Sequence, residues 1–175
     1  MVLLIYQAQF KHLTRLFITK RLYPHPLLQV EVLTAPQADA LAMVRSGRAD
    51  LALVFERYGA APYQAFQEVA EERLVAVAAR AHPMFKGARQ AKVRDTDLLL
   101  QRQIVVAGRD LAQTDARFVF ARHHWRTDNH LAALSLIEAG LGWGWQPREL
   151  VDPRIHAGTL VEMPFDNLSN GVKLW

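Results

Sequence analysis

The sequence contains no cysteine among its 175 residues. Disulfide bonds and thiolate metal sites are therefore excluded, and the composition fits a reducing compartment such as the cytoplasm. Long hydrophobic runs are also missing, because Arg, Asp or Gly interrupts each apolar stretch within about 10 residues, short of the roughly 20 that span a bilayer. The apolar start, Met1 to Tyr6, lacks the basic leader and the cleavage site of an export signal. We therefore expect a cytoplasmic protein with no membrane segment.

Motifs for catalysis and for metal binding are equally scarce. No H-x-x-x-H pair occurs, and no serine lies in a G-x-S-x-G elbow. His123 and His124 are adjacent on a predicted strand, so they should point to opposite faces and not share a metal. His130 falls early in a predicted helix, and we interpret each histidine as a surface residue. These observations predict a protein that is not an enzyme and that holds no metal or cofactor.

The basic residues are dispersed despite a formal net charge of +4 and an isoelectric point of 9.7. The 21 Lys and Arg residues are scattered among 17 Asp and Glu residues, whereas a nucleic-acid surface needs phosphate contacts clustered on one face. The densest cluster is Arg117, Arg122, His123, His124 and Arg126. We interpret it as a solvated edge strand, with a site for an anionic ligand or partner as the alternative.

The first third of the chain alternates between strand and helix patterns. Met1 to Tyr6 predicts a strand, Phe10 to Leu22 an amphipathic helix, and Leu27 to Leu33 a second strand of period two. A further helix follows Thr34 to Gln37, and Leu51 to Phe55 forms the next buried strand. Parallel crossovers of this kind bring the carboxyl ends of the strands to one edge of the sheet, where α/β proteins bind ligands.

A second organised stretch runs from Thr127 to Val151. Thr127, Asp128 and Asn129 offer side-chain acceptors to the free N–H groups of a helix start, and apolar residues then recur at helical spacing. Gly140 should end this helix in a left-handed conformation. The glycines that follow predict a strand packed closely against other backbone, and Pro147 suits the first turn of another helix.

Three segments carry a resemblance to a known family. The stretch AGLGWGWQPRELV, at 139–151, resembles a recurrent segment of the effector-binding domain of LysR-type transcriptional regulators. SGRADLALV at 46–54 and EERLVAVAARAHP at 71–83 are similar to two other segments of that domain, and the three occur in the family's order. The segment EERLVAVAARAHP corresponds to a strand that crosses from the first lobe of the domain to the second.

The resemblance implies an α/β, two-lobed, periplasmic-binding-protein-like (type 2) fold, in which each lobe is a mainly parallel sheet flanked by helices. Lobe I would comprise 1–78 with 161–175, and lobe II would comprise 79–160. The family's N-terminal winged helix-turn-helix and linker helix are not in this sequence, and neither is the helix that normally closes the first lobe. We therefore expect contact with DNA only through the absent N-terminal domain.

The resemblance also implies an effector site in the cleft between the lobes, for a small, anionic organic molecule. Its residues would lie on loops at the carboxyl edges of the strands, and Arg109 would be the charge partner of an acidic ligand. Thr127 joins this set, although helix capping is its stronger interpretation. The predicted ligand-binding residues are Gln7, Ala8, Gln9, Thr34, Pro36, Gln37, Ala107, Gly108, Arg109 and Thr127.

The function implied is that of an effector-sensing and dimerisation module of a LysR-type regulator. By resemblance, a homodimer would form head to tail through the helices around Phe10–Leu22 and Asp128–Ala139, whose apolar stripes are wider than one buried face. The alternative is a solute-binding protein of a transporter, which shares the two-lobed fold. An enzyme such as a lyase on the same fold has no catalytic residues in the sequence to support it.

Overall fold

The computed structural model describes residues 2–5, 25, 27–54, 65–67, 70–85, 95–107, 119–163 and 171–174. By its contacts the chain divides into two compact units, one formed by Met1–Glu71 with Lys173–Trp175 and the other by Glu72–Val172. Among the described residues, no helix is long and apolar enough to cross a membrane.

The first unit contains a three-stranded parallel sheet in the order β2-β1-β3. Its elements are β1 (Val2–Ile5), β2 (Glu31–Thr34), α1 (Gln37–Arg45) and β3 (Leu51–Leu53). Helix α1 packs through the buried Ala40 against Ala49 and the partly buried Leu33 and Ala52. The predicted alternation of strands and helices is confirmed for these elements, while the predicted helix Phe10–Leu22 lies outside the described residues.

The predicted strand Leu27–Leu33 is shorter in the structure and lies later in the chain. Strand β1 has four residues, and they pair from Val2 with Glu31 to Ile5 with Thr34. Among the described residues, no strand pairs with the residues ahead of β2. Leu27 is 96% exposed, and the N–H of Leu28 donates to the His25 carbonyl in a turn. The period-two pattern of this segment extends beyond the part that pairs.

The second unit is built on a six-stranded mixed sheet in the order β6-β5-β7-β4-β8, with β9 also paired to β4. Strands β5, β6 and β7 are parallel to one another, and β4 runs antiparallel to β7 and β8. The strands of this sheet are β4 (Ala70–Ala79), β5 (Gln103–Val106), β6 (His124–Thr127), β7 (Trp143–Pro147), β8 (Leu160–Glu162) and β9 (Gly171–Leu174), of which residues 70–71 and 173–174 are counted with the first unit. The helices of the second unit are α2 (Asp95–Leu100), α3 (His130–Glu138), α4 (Arg148–His156) and a 3-10 turn (Pro83–Phe85).

Both faces of the central strands are buried. One face packs against α3 and α4 through Val75, Val77, Ile104, Ala133, Leu134, Ile137, Val151 and Leu160. In addition, the rings of Trp143, Trp145 and Phe120 contact one another at centroid distances of 5.9–6.4 Å. The indole of Trp143 donates to the Leu98 carbonyl at 3.3 Å, which ties β7 to α2.

The glycines of β7 allow close contact between backbones, as the sequence predicted. A Cβ built on Gly144 would lie 2.5 Å from the Ile104 carbonyl oxygen, and one built on Gly142 would collide with the Arg102 carbonyl. Gly140 follows α3 with a φ of +74°. The predicted end of the helix and the close strand packing are both confirmed.

The predicted lobe boundaries differ from the observed units at both crossings. Residue 78 falls inside β4, which enters the second sheet and pairs from Leu74 onward with β7. Strand β8, predicted for the first lobe, pairs with β4 through Val161 and Ala78. The assignment of 1–78 with 161–175 and 79–160 to two lobes stays a prediction.

Candidate functional site

In the first unit, the predicted site residues lie where β2 ends and α1 begins. Thr34 is the exposed last residue of β2, and Pro36 is the buried N-cap of α1, whose carbonyl accepts from the Ala40 N–H at 2.9 Å. Pro36 has extended geometry, with φ −56° and ψ 152°, and offers no side-chain cap. Gln37 is the first residue of α1, while Gln7, Ala8 and Gln9 lie outside the described residues.

In the second unit, the structure brings two of the predicted residues together. Ala107 follows β5, Thr127 ends the neighbouring β6, and the N–H of Ala107 donates to the Thr127 carbonyl at 2.9 Å. The Thr127 hydroxyl donates to the Asn129 carbonyl at 3.0 Å. Gly108 and Arg109 lie outside the described residues. The carboxyl edge of this sheet thus carries a polar backbone turn that leads directly into α3.

The start of α3 is capped by Asn129. Its side-chain oxygen accepts from the Ala132 N–H at 2.8 Å, and its side-chain nitrogen donates to Asp128 Oδ1 at 2.9 Å. The sequence predicted capping by this group of residues; the cap is Asn129, and Thr127 and Asp128 hydrogen-bond to it. They orient Asn129, one through its carbonyl and the other through its amide. The short acceptor directly before the first helical residue is the one that can reach the third N–H.

His130 and Gln146 form a buried polar pair at the same edge. His130 is 5% exposed and Gln146 is fully buried, and His130 Nδ1 lies 3.1 Å from Gln146 Oε1. Burial lowers the pKa of His130 to about 4, although the hydrogen bond to Gln146 acts in the opposite direction. The ring is therefore neutral near pH 7. Our prediction of a surface histidine was wrong here, because α3 turns its first residue toward the sheet.

The amide nitrogen of Gln146 has no hydrogen-bond partner within the described part of the chain. A buried polar group left without a partner costs about 1–3 kcal/mol. Gln146 lies in β7 opposite Val75 of β4. Because β7 runs parallel to β5 with Trp143 beside Gln103, Gln146 is level with the ends of β5 and β6. The edge therefore presents a neutral donor amide next to an imidazole and a capped helix start.

Sequence reasoning missed both members of this pair. Gln146 stands in the otherwise apolar stretch GWGWQP, and a polar residue at a buried strand position was the available signal. The described residues contain no group of three or more His, Asp or Glu side chains that could hold a metal ion. A polar, uncharged edge of this kind suits recognition of a ligand through hydrogen bonds rather than acid–base chemistry.

A family model describing the LysR substrate binding domain matches residues 19–174 of this chain. The chain belongs to this family. Its members are effector-binding domains of transcriptional regulators and not enzymes, so family membership confirms the prediction of a non-catalytic protein. It also favours the regulator over the transport protein that was the alternative.

Known proteins of the LysR family support the same assignment. The chain is 42% identical over 125 residues to the HTH-type transcriptional regulator AceR of Acinetobacter baumannii, a match that covers 71% of this chain and 41% of that regulator. The regulatory domain of MetR from N. meningitidis aligns with 99% of this chain and 81% of its own at 18% identity, with a TM-score of 0.70.

A variant of the BenM effector-binding domain aligns with 99% of this LysR chain and 82% of its own at 15% identity, with a TM-score of 0.76. These similarities confirm the predicted fold class. The polar edge described above therefore belongs to a fold whose solved examples include effector-binding domains.

Proposed function

We propose that this chain is the effector-sensing and dimerisation module of a LysR-type DNA-binding transcriptional regulator. Family membership and the likeness to AceR support the proposal. DNA would be contacted by another part of the whole regulator, which would act in the cytoplasm. The chain spans 41% of the length of AceR, so regulation of transcription is here a property proposed for the complete protein.

The effector would bind at the carboxyl edges of the strands, and the unpartnered amide of Gln146 is the observation that carries this proposal. The amide is buried, lies beside the neutral His130 and belongs to β7, whose neighbour β5 is followed by Ala107, which donates to the Thr127 carbonyl. A ligand oxygen accepting from this amide would remove the cost of the missing hydrogen bond. Thr34, Pro36 and Gln37 at the edge of the first sheet are proposed as further contacts.

A small anionic organic molecule suits this edge. The N-terminus of α3 carries a partial positive charge, and the Asn129 side chain accepts from one N–H group of the helix start, that of Ala132. The predicted charge partner is Arg109, with Gln7, Ala8, Gln9 and Gly108 as neighbours in the cleft expected between the lobes. A guanidinium would bind a carboxylate through paired hydrogen bonds.

The mechanism proposed is a shift between two arrangements of the protein. An effector changes the population of two states only by binding one of them more tightly. Contacts to both units would provide that difference in affinity, and the altered population would then change the affinity for DNA in the complete regulator.

Thermal denaturation with matched ligands tests the charge class of the effector. Benzoate, benzamide and benzylamine share one ring and carry a negative, a neutral and a positive group, and succinate, acetate and salicylate extend the acidic set. We expect one or more acids to raise the melting temperature in proportion to the logarithm of ligand concentration. An anionic effector of these classes would be contradicted if only benzylamine raised the melting temperature, or if none of the acids did.

The variant Gln146→Leu tests the position of the site. We expect calorimetry with the acid that gave the largest shift to show a loss of about tenfold in affinity, the value of one hydrogen bond to a charged group. Gln101→Leu, at the opposite end of the sheet, is the matched control and should bind as the unmodified protein does. Equal affinity for Gln146→Leu, with its fold intact by circular dichroism, would refute the placement.

We also propose a homodimer through the helices around Phe10–Leu22 and Asp128–Ala139. On α3 the buried face comprises His130, Ala133, Leu134 and Ile137, while Leu131 is 43% exposed and Ser135 is exposed. An apolar side chain on the outer face of a helix is consistent with a partner covering it. Phe10–Leu22 lies outside the described residues.

Light scattering of purified Ser135→Glu tests the dimer. We expect the unmodified protein to be dimeric at micromolar concentration, Ser135→Glu to be monomeric but folded by circular dichroism, and Thr159→Glu, exposed on the loop after α4, to remain dimeric. A monomeric unmodified protein would contradict this proposal without affecting the effector site.

A further inference from the structure

A pocket lies at the amino-terminal edge of the second sheet, away from His130 and Gln146. Its volume is about 310 Å³, and its lining consists of Arg102, Arg122, His123, His124 and Trp125. Arg102 directly precedes β5, and the other four residues run consecutively into β6. This volume falls at the lower end of the roughly 300–1,000 Å³ found for small-molecule sites.

Backbone hydrogen bonds hold the two segments that line the pocket, Arg102 and 122–125, in position. The Gln103 N–H donates to the His123 carbonyl at 3.0 Å, and the Arg122 N–H donates to the Leu99 carbonyl at 3.3 Å. The Arg102 carbonyl in turn accepts from the Trp143 N–H at 3.0 Å. The side chains of the pocket therefore project from backbone that is fixed to α2, β5 and β7.

The two histidines correct our prediction for this segment. His123 lies before β6 and not in it, because β6 begins at His124, where it pairs with Gln103. The alternation of a strand therefore does not separate the two rings, and both line the same pocket.

The pocket is positively charged, and no carboxylate lines it. In the described ranges, neither Arg102 nor Arg122 takes part in a salt bridge. The Arg102 guanidinium carbon lies 4.1 Å from the centroid of the Trp125 ring. A cation above a ring is attracted by the ring's π electrons. This contact uses the face of the guanidinium, so the N–H groups of Arg102 remain available to a hydrogen-bond acceptor.

We propose that this pocket binds a small oxyanion, a carboxylate or a phosphate, that carries an aromatic ring. Guanidinium groups match both oxyanions through paired hydrogen bonds, and the two imidazoles add N–H donors. Trp125 is 43% exposed and offers an apolar surface to the ring. A metal cation would meet two positive charges here, and a neutral aromatic molecule would leave the arginines without a counter-charge.

A small ligand fits these observations better than a polymer. A nucleic acid needs a line of basic contacts that follows successive phosphates. Here the unpaired charges converge on one concavity instead. The site is distinct from the proposed effector site, since Gln146 and Arg102 belong to opposite ends of the same sheet.

Isothermal titration calorimetry of the full chain with phenyl phosphate and with benzoate tests both oxyanions on one ring. Inorganic phosphate and phenol supply the two halves of the first ligand separately. We expect saturable binding that is unchanged in Gln146→Leu, which separates this pocket from the proposed effector site, with weaker binding of inorganic phosphate and none of phenol. Arg102→Gln and Arg122→Gln should each weaken binding about tenfold, the loss of one charge-assisted contact. Arg73→Gln, exposed on β4 of the same unit, is the control with the same change of charge.

Nuclear magnetic resonance of the indole N–H groups locates the ligand without relying on the arginine variants. The Trp125 signal, assigned with Trp125→Phe, should shift at the ligand concentrations measured by calorimetry. No saturable binding, an equal loss in Arg73→Gln, or a shift confined to other indoles would overturn the proposal. Competition by a DNA duplex that binds more tightly than either ligand would overturn it in favour of a nucleic-acid surface.

Discussion

The two ends of the second sheet use polar residues in opposite ways. At the carboxyl edge His130 and Gln146 are buried and uncharged at neutral pH, and each position is fixed by the strand or helix that carries it. At the amino edge Arg102, Arg122 and Trp125 are exposed, and charge dominates. Both edges lie on the same strands, so the difference arises from what covers each end: α3 starts over one, and a short loop borders the other.

This contrast predicts how each edge responds to its surroundings. Buried polar groups contribute through hydrogen bonds whose loss leaves an unsatisfied partner, which makes them sensitive to mutation and to pH. Exposed charges lie in water and are screened by salt within about 8 Å at physiological ionic strength. Changes at the carboxyl edge should therefore alter the stability of the fold, while changes at the amino edge should leave that stability nearly unchanged.

The largest expected effect is the dependence of stability on the charge of His130. Its pKa is lowered to about 4 from 6.5 in the folded state, so the unfolded chain takes up a proton first as the pH falls. Stability is therefore fully present above pH 6.5 and is lost as the pH falls from 6.5 to 4, by about 3 kcal/mol at most.

Urea denaturation between pH 7.5 and 4 measures this loss, and His130→Asn is the comparison. The variant keeps a polar group near Nδ1 but cannot titrate in this range, while the carboxylates and His82 are common to both proteins. The difference in unfolding free energy between the two proteins should change with pH. Parallel curves would show that His130 does not titrate as a buried group.

The next effect concerns the strand that joins the two edges. Gly144→Ala would place a methyl group 2.5 Å from the Ile104 carbonyl oxygen and 3.1 Å from Ile137 Cδ1. The strand would have to move, and we expect a loss of about 2 kcal/mol. Chemical denaturation provides the measurement, and Gly47→Ala is unsuitable as a control because its φ of +73° adds strain of another kind. Ser135→Ala on the exposed face of α3 should change stability by less than about 0.5 kcal/mol.

A smaller loss is expected from the ion pair between α4 and β8. The Arg148 guanidinium donates to both carboxylate oxygens of Glu162, one of them at 2.7 Å, and their side chains are 27% and 31% exposed. Arg148→Met keeps the aliphatic contact and removes the pair, so we expect a loss of about 1 kcal/mol after allowance for screening. Arg154→Met, which removes the more exposed pair with Glu138, should cost less. The reverse order would contradict the role of partial burial.

The smallest effect on stability should come from the amino edge itself. Arg102→Gln removes an exposed cation–π contact, and we expect a change of about 0.5 kcal/mol or less. Its melting temperature should follow that of the unmodified protein while its affinity for phenyl phosphate falls. A loss of stability as large as that of Gly144→Ala would show that Arg102 supports the fold, and the proposed contrast between the edges would fail.

The sequence predicted the elements of this fold more accurately than the contacts of its site. Glycine turns and apolar periodicity act locally, so the end of α3 at Gly140 and the strand after it followed from neighbouring residues alone. The burial of His130 depends on how α3 rotates against β7, and its partner Gln146 is 16 residues away. Spacing along one helix contains no information about that rotation. The same limit applies to the pocket, where Arg102 meets Trp125 only because β5 and β6 are neighbours.

The second unit is continuous in sequence, from Glu72 to Val172, whereas the first combines Met1–Glu71 with Lys173–Trp175. A ribosome therefore synthesises residues 72–172 before it adds the last residues of the smaller unit. A single gene fragment for recombinant expression of the larger sheet would encode 70–174, which keeps β4 and β9 whole. The first unit has no such fragment, and joining its two pieces would require an artificial linker in place of about a hundred residues.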